Sequence, residues 1–145
     1  MKWMKRIRFL LGPALICLVV CILLKTVLFL GYVPSASMEP TIASGSYILG
    51  TRLFGELERG DVVIFFQNGR CLVKRIAAVP GDSVAINDIT KEAVVNGDLS
   101  DATRTLVVPE ECYFMLGDNP AVSVDSRYWE EPFIAIDQIL ARVIQ

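Results

Sequence analysis

The sequence contains no histidine. That absence excludes every catalytic arrangement in which imidazole is the base, the Ser-His-Asp and Cys-His systems alike, and removes the commonest metal ligand. Cysteine is scarce and poorly spaced for metal. Of four, Cys17 and Cys21 lie in an apolar run near the N-terminus, while Cys71 and Cys112 stand far apart. There is no CxxC pair, so neither a structural zinc nor an iron–sulfur site is expected. Cys71 and Cys112 are either two buried thiols or, if their strands are neighbours, a disulfide; the sequence leaves both open. The net charge is only −2, and no basic patch points to nucleic acid. Nucleophilic chemistry in this chain therefore needs a base other than histidine, and no bound metal or organic cofactor is expected.

What the chain has in abundance is a long apolar run, 9–30. At ~1.5 Å of rise per residue, about 22 helical residues cover roughly the ~30 Å hydrocarbon core of a bilayer, which predicts a transmembrane helix. Pro13 falls in its first turn, where a missing N–H costs little, and Gly31 with Pro34 is expected to end it. Lys25 lies near the far end, within snorkelling reach of the headgroups. Lys2, Lys5, Arg6 and Arg8 precede the run, and the positive-inside rule puts them in the cytoplasm. The expected organisation is a basic cytoplasmic N-terminus, 1–8, a transmembrane helix, 9–30, and an extracytoplasmic β-rich domain, 31–145, in a single-pass protein of the cell membrane. A cleaved secretory signal is the competing reading, because Ser35-Ala36-Ser37 resembles a small-residue cleavage site. The apolar run exceeds the ~7–15 residues of a signal core, which favours retention.

Beyond Pro34 the chain reads as short strands at 47–53, 61–67, 71–79, 83–86, 92–96, 106–108 and 113–116. Each is rich in Val, Ile, Phe or Tyr and is bounded by turn-forming residues. Asn68-Gly69 and Asn96-Gly97 are hairpin-turn dipeptides. The prediction is a mainly β fold: the transmembrane helix followed by a small antiparallel domain of barrel or sandwich type, with one short helix at 136–140.

Two places stand out chemically. In Pro34-Ser35-Ala36-Ser37-Met38-Glu39-Pro40-Thr41-Ile42, prolines stiffen the backbone around two serines just beyond the apolar run. Taken alone, this is also what an ordinary turn between anchor and domain looks like. In Cys71-Leu72-Val73-Lys74-Arg75-Ile76, strand alternation sets Lys74 on one face with Leu72 and Ile76. Burial disfavours an ammonium and can lower its pKa from ~10.4 by as much as ~3–5 units, and a neutral lysine is a competent general base. The bland reading of Lys74 is a lysine reaching solvent from a sheet edge.

Four blocks in order resemble the type I signal peptidase family of Ser/Lys proteases. They are Pro34 through Ile42; Arg59-Gly60-Asp61-Val62-Val63-Ile64-Phe65; Leu72-Val73-Lys74-Arg75-Ile76-Ala77-Ala78-Val79-Pro80-Gly81-Asp82; and Gly117-Asp118-Asn119 running on to Asp125-Ser126-Arg127-Tyr128-Trp129. The resemblance implies that Ser37 is the acylated nucleophile and Lys74 its general base. It further implies an oxyanion hole from the Ser37 N–H and the Ser35 hydroxyl, and Ser123 hydrogen-bonded to the lysine. Asp125 and Arg127 are implied as a structural ion pair beneath the site, and Val33, Met38, Ile42, Leu72 and Val73 as linings of small apolar substrate pockets. The implied partners are secretory preproteins with small residues before the cleavage point, met at the membrane lipid surface. For the five apolar residues, core packing is the alternative. Three other readings compete: a related Ser/Lys protease dedicated to one precursor, a degenerate binding domain serving as an assembly factor, and a self-cleaving repressor. The intact Ser37 and Lys74 weigh against the second, and the apolar run and lack of a DNA-binding segment weigh against the third.

Overall fold

The structure is a computed structural model that describes residues 2–144, with side chains in the first helix described from residue 11 on. Met1, the side chains of the expected basic segment 1–8 and the first side chains of the expected span 9–30 lie outside the described residues. Helix α1 runs Lys2–Val27. From 11 to 24 its apolar side chains are exposed all round, from 46% at Val20 to 66% at Ile16. Among the described residues, no helix is long and apolar enough to cross a membrane.

The helix ends three residues earlier than the apolar run predicts, because β1 (Leu28–Tyr32) joins a sheet. It pairs antiparallel with β2 (Tyr47–Thr51), Leu30 opposite Leu49. Phe29 packs against the cluster around Met38 and Ile48, so extending the chain here couples the helix directly to the core. Next come β3 (Val62–Gln67), β4 (Arg70–Ala78), β5 (Ser83–Ile86), β6 (Ala93–Val95) and β7 (Arg104–Val107). The last strands are β8 (Cys112–Leu116), β9 (Phe133–Ala135) and β10 (Ile139–Val143). A seven-stranded sheet has the order β1-β2-β10-β3-β4-β8-β9, and a three-stranded sheet has the order β6-β5-β7. All pairings are antiparallel.

The mainly β expectation is met, but the sheets are open and do not close into a barrel. Closure would require β1 to pair with β9, whereas β1 continues from α1 and β9 is only three residues long. The helix expected at 136–140 is one 3₁₀ turn, Ile136–Gln138, that leads into β10. Asn68-Gly69 does close a hairpin, with positive φ at both residues, as a two-residue turn twisted like its strands requires. Asn96-Gly97 does not, since β6 and β7 flank β5 instead of pairing with each other. Asn96 is used otherwise: its side chain accepts from the Ser83 N–H and donates to Asp82. All four cysteines are free thiols.

Three apolar clusters make the interior. One gathers Val63, Phe65, Ile76 and Met115 on one face of the large sheet; a second gathers Val33, Met38, Ile48 and Ile64 on the other. The third joins Val84, Ile86 and Val108 of the small sheet to Phe114.

Candidate active site

Ser37 lies in a single 3₁₀ turn, Ala36–Met38, five residues beyond the end of β1. Met38 anchors that turn, fully buried among Val33, Ile48 and Val62, and burying such a side chain contributes about 1.5–3 kcal/mol. The turn is tied down from the other side by Asn119. Its backbone N–H donates to the Ser37 carbonyl at 3.0 Å and its side-chain amide donates to the Ala36 carbonyl at 3.2 Å. As the second residue of a short turn, Ser37 carries one of the N–H groups that a helical start leaves without an internal acceptor. The Ser35 hydroxyl is 3.3 Å from the Ser37 hydroxyl.

Lys74 sits in β4 opposite Val63, and its face carries Leu72 and Ile76. It is 4% exposed, and its Nζ is hydrogen-bonded to Ser37 Oγ at 2.7 Å. Burial lowers the lysine pKa below its ordinary value; the Asp125 and Asp118 carboxylates pull the other way, and Arg127 adds to the lowering.

Asp125, fully buried, is the hub beneath the lysine. Arg127 grips it through Nε and Nη2, both at 2.8 Å. The Gly117 N–H at 3.0 Å and the Ser123 hydroxyl at 2.8 Å also donate to it. Burial alone would raise the Asp125 pKa, but these donors together hold it below the usual carboxylate value. Ser123 thus donates to Asp125, and among the described residues no hydrogen bond joins it to Lys74.

Gly117 marks where these parts meet. A β-carbon there would fall 2.1 Å from Ser123 Oγ and 2.6 Å from the Ser37 carbonyl oxygen. Next to it, Asp118 takes Arg75 in a bidentate pair, and Arg75 also donates to the Gly60 carbonyl, so β4 is fastened to the segment that follows β8.

Of the apolar residues implied for substrate pockets, Val33, Met38 and Ile42 are packed in the core cluster, each at most 8% exposed. Val73 is half-buried against that cluster, and Leu72 borders a cleft with Arg70, Val124 and Trp129. Sequence reasoning gave no role to Asn119, Gly117 or the Arg75–Asp118 pair. The signal available was the turn-forming run Gly117-Asp118-Asn119 directly after a strand. Among the described residues no cluster of ligating side chains suits a metal ion.

A family model described as signal peptidase, peptidase S26, matches residues 4–103 and 90–145. The chain belongs to the S26 signal peptidase family. It is 31% identical over 158 aligned positions to a signal peptidase I of Bacillus caldolyticus, covering 90% of this chain and 86% of that one. It is 33% identical to a signal peptidase I of Bacillus licheniformis, over 87% of this chain and 77% of the other. A crystal structure of a signal peptidase I from Enterococcus faecalis aligns with TM-score 0.47 and 27% identity, covering 63% of this chain and 98% of that one. This S26 member is a hydrolase of the signal peptidase I type.

Proposed function

We propose that this S26 peptidase is a membrane-anchored serine endopeptidase that removes N-terminal signal peptides from exported preproteins through an acyl-enzyme. Ser37 is the nucleophile and Lys74 the general base. The observation that carries the reading is the buried 2.7 Å contact between Lys74 Nζ and Ser37 Oγ in a chain without histidine. In the neutral amine the bond reverses, and Nζ accepts the hydroxyl proton as Oγ attacks the scissile carbonyl. The Ser37 N–H and the Ser35 hydroxyl are the donors for the oxyanion, where losing one typically costs ~10²–10³ in rate. Lys74 then protonates the leaving amine, and the same base activates water for deacylation. Asp125, Arg127 and Ser123 hold the charge and geometry around the lysine.

Peptide access is supported by the strand pattern. β4 pairs with β8 only from Arg75 onward, so among the described residues 70–74 have β3 on one side and no strand on the other. An extended substrate can add at that edge through main-chain hydrogen bonds, with Leu72 and Val73 beside it and Val33, Met38 and Ile42 behind. Small residues before the cleavage point suit a wall already filled by core side chains.

The anchor is supported by α1, whose apolar side chains from 11 to 24 have no protein partner to cover them. A helix apolar on every face is at home in lipid. With Lys2, Lys5, Arg6 and Arg8 ahead of the apolar run, the N-terminus lies in the cytoplasm and 31–145 outside, in a single pass. Tethering puts Ser37 where signal peptides leave the bilayer and raises their effective concentration.

The test is cleavage of several preproteins by the detergent-solubilised full chain, beside Ser37→Ala and Lys74→Ala. Wild type is expected to release mature protein, with each variant slower by at least ~10³-fold. The wild-type rate should rise with pH along a limb below the ordinary lysine pKa. Cleavage of a single precursor would narrow the client list, and an inert wild type would overturn the proposal.

A further inference from the structure

We propose that the small sheet takes part in the site: the loop 87–92 between β5 and β6 uses the Lys91 carbonyl as a strut on Arg127 and, through Asp125, positions Lys74. The proposal rests on the reading of Lys74 as the base.

Arg127 is 8% exposed, and two of its nitrogens are taken by Asp125. The third, Nη1, donates to the Lys91 carbonyl at 3.2 Å, a contact from the other sheet. A buried guanidinium nitrogen left without that acceptor would be costly, so the carbonyl is a real constraint on where Arg127 sits. Lys91 delivers it from φ 60°, left-handed backbone that a residue with a side chain rarely adopts. Closing a hairpin does not require its carbonyl to be aimed at a different sheet.

The loop is built to hold that conformation. Asn87 is 4% exposed; its Oδ1 accepts from the Ile89 and Thr90 N–H groups, and its Nδ2 donates to the backbone and side chain of Asp101. The Lys91 N–H closes the loop on the Asn87 carbonyl at 2.8 Å. On the outside, Asp88 takes Thr103 and Arg104. The Lys91 ammonium stands 5.3 Å over the Tyr128 ring, beside Arg127. None of these bonds is needed by Lys74 or Ser37 directly. Together they fix one carbonyl against the ion pair beneath the lysine.

A strut of this kind has a signature that a purely structural loop lacks. The charges facing Lys74 are Asp125, Arg127 and Asp118, and those facing Arg127 are Asp125, Lys91 and the Tyr128 phenol. Arg127 keeps the lysine proton loosely held, while Asp125 tightens it. If Arg127 is freed, Asp125 acts with less opposition, and Lys74 should lose its proton at higher pH.

The experiment is a titration of Lys74 in the solubilised full chain, followed by the side-chain carbon shift of labelled lysine, in wild type, Lys91→Pro, Asn87→Ala and Leu106→Ala. Proline fixes φ near −65° and removes the N–H that closes the loop. Asn87→Ala loosens the loop more gently, and Leu106→Ala weakens the small sheet's apolar packing without touching the strut. The Lys74 midpoint is expected to rise by about half a unit in Lys91→Pro, less in Asn87→Ala, and not at all in Leu106→Ala. The alkaline limb of cleavage should move with it. Equal midpoints in all four proteins, or a shift in Leu106→Ala as large as in Lys91→Pro, would overturn the strut. If wild type cleaves nothing, the peptidase reading fails while the titration still decides the strut.

Discussion

Two arginine–aspartate pairs in this chain share one chemistry and differ in everything around it. Arg127 holds Asp125 with its Nε and Nη2, and Arg59 holds Asp82 with the same two nitrogens. The first pair is sealed, its side chains 9% and 0% exposed, and it lies against Lys74; the second is 45% and 11% exposed, at the turn between β4 and β5. Burial turns the first into part of the site's electrostatics. The second is a staple: besides Arg59, Asp82 accepts from the Val79 N–H and Asn96, locking the turn to the small sheet. An identical contact can therefore sit inside the candidate site or fasten a turn, and solvent and neighbours decide which.

The comparison breaks most visibly when one partner is removed. Asp125→Ala leaves the Arg127 guanidinium buried without its counter-ion, a loss of about 3–5 kcal/mol, and thermal unfolding in detergent should show it together with the collapse of cleavage. Asp82→Ala leaves Arg59 free to turn to water and should cost much less. Equal losses at the two sites would mean that burial is not what separates the pairs.

Glycines beside each pair extend the contrast. Gly117→Ala puts a methyl 2.6 Å from a backbone oxygen of the Ser37 turn and 2.5 Å from Ser123 Cβ, neither of which is the free end of a flexible side chain. Overpacking of this kind costs about 1–3 kcal/mol. A displacement of about 1 Å at the nucleophile is worth about 10²-fold in rate. Gly81, adjacent to Asp82, faces open space, and only its φ of 86° resists a side chain. Gly81→Ala should lower stability by about 1 kcal/mol and leave the rate constant for cleavage within about twofold.

A charge-only change sharpens the comparison further. Asp125 raises the Lys74 pKa, so Asp125→Asn, of nearly the same shape, should let the lysine deprotonate more readily. The cleavage limb is then expected to move to lower pH. Asp82→Asn, remote from the lysine, should leave the limb in place. A pH–rate profile of both variants decides it, and a limb that moves upward in Asp125→Asn would reverse the assigned role.

The sequence made the lysine legible because alternation in a strand is a two-residue rule, and a charged residue on an apolar face is visible without coordinates. Ser37 was legible only through the motif around it, since a serine between prolines has no signature of its own. The boundary at Val27 was hidden because continuous apolarity does not distinguish the last turns of a helix from a buried strand; Leu28, Phe29 and Leu30 fit both. Asn96-Gly97 read as a hairpin because local turn chemistry says nothing about which strand lies alongside, and here β5 lies between the two candidates. Lys91 acts through a backbone carbonyl that every residue carries, and Asn119 acts through its backbone N–H as well as its side-chain amide. Contacts of that sort become visible only when the chain is folded.

The smallest effect tests the exposed pair on its own terms. The Arg59 guanidinium, together with the Val79 N–H and Asn96, lowers the Asp82 pKa to about 2, against about 3.9 for an unfolded aspartate. A carboxyl with a depressed folded pKa contributes its stabilisation above the unfolded value and loses it as pH falls through the folded one. Because Arg59 is half open to solvent, screening keeps the contribution small. Asp82→Asn should therefore be slightly less stable than wild type at pH 6. The gap should narrow as pH drops from about 4 toward 2, and added salt should narrow it at any pH. A gap that persisted unchanged down to pH 2 would assign the turn's stability to packing around Gly81 and Val108, with the ion pair a bystander.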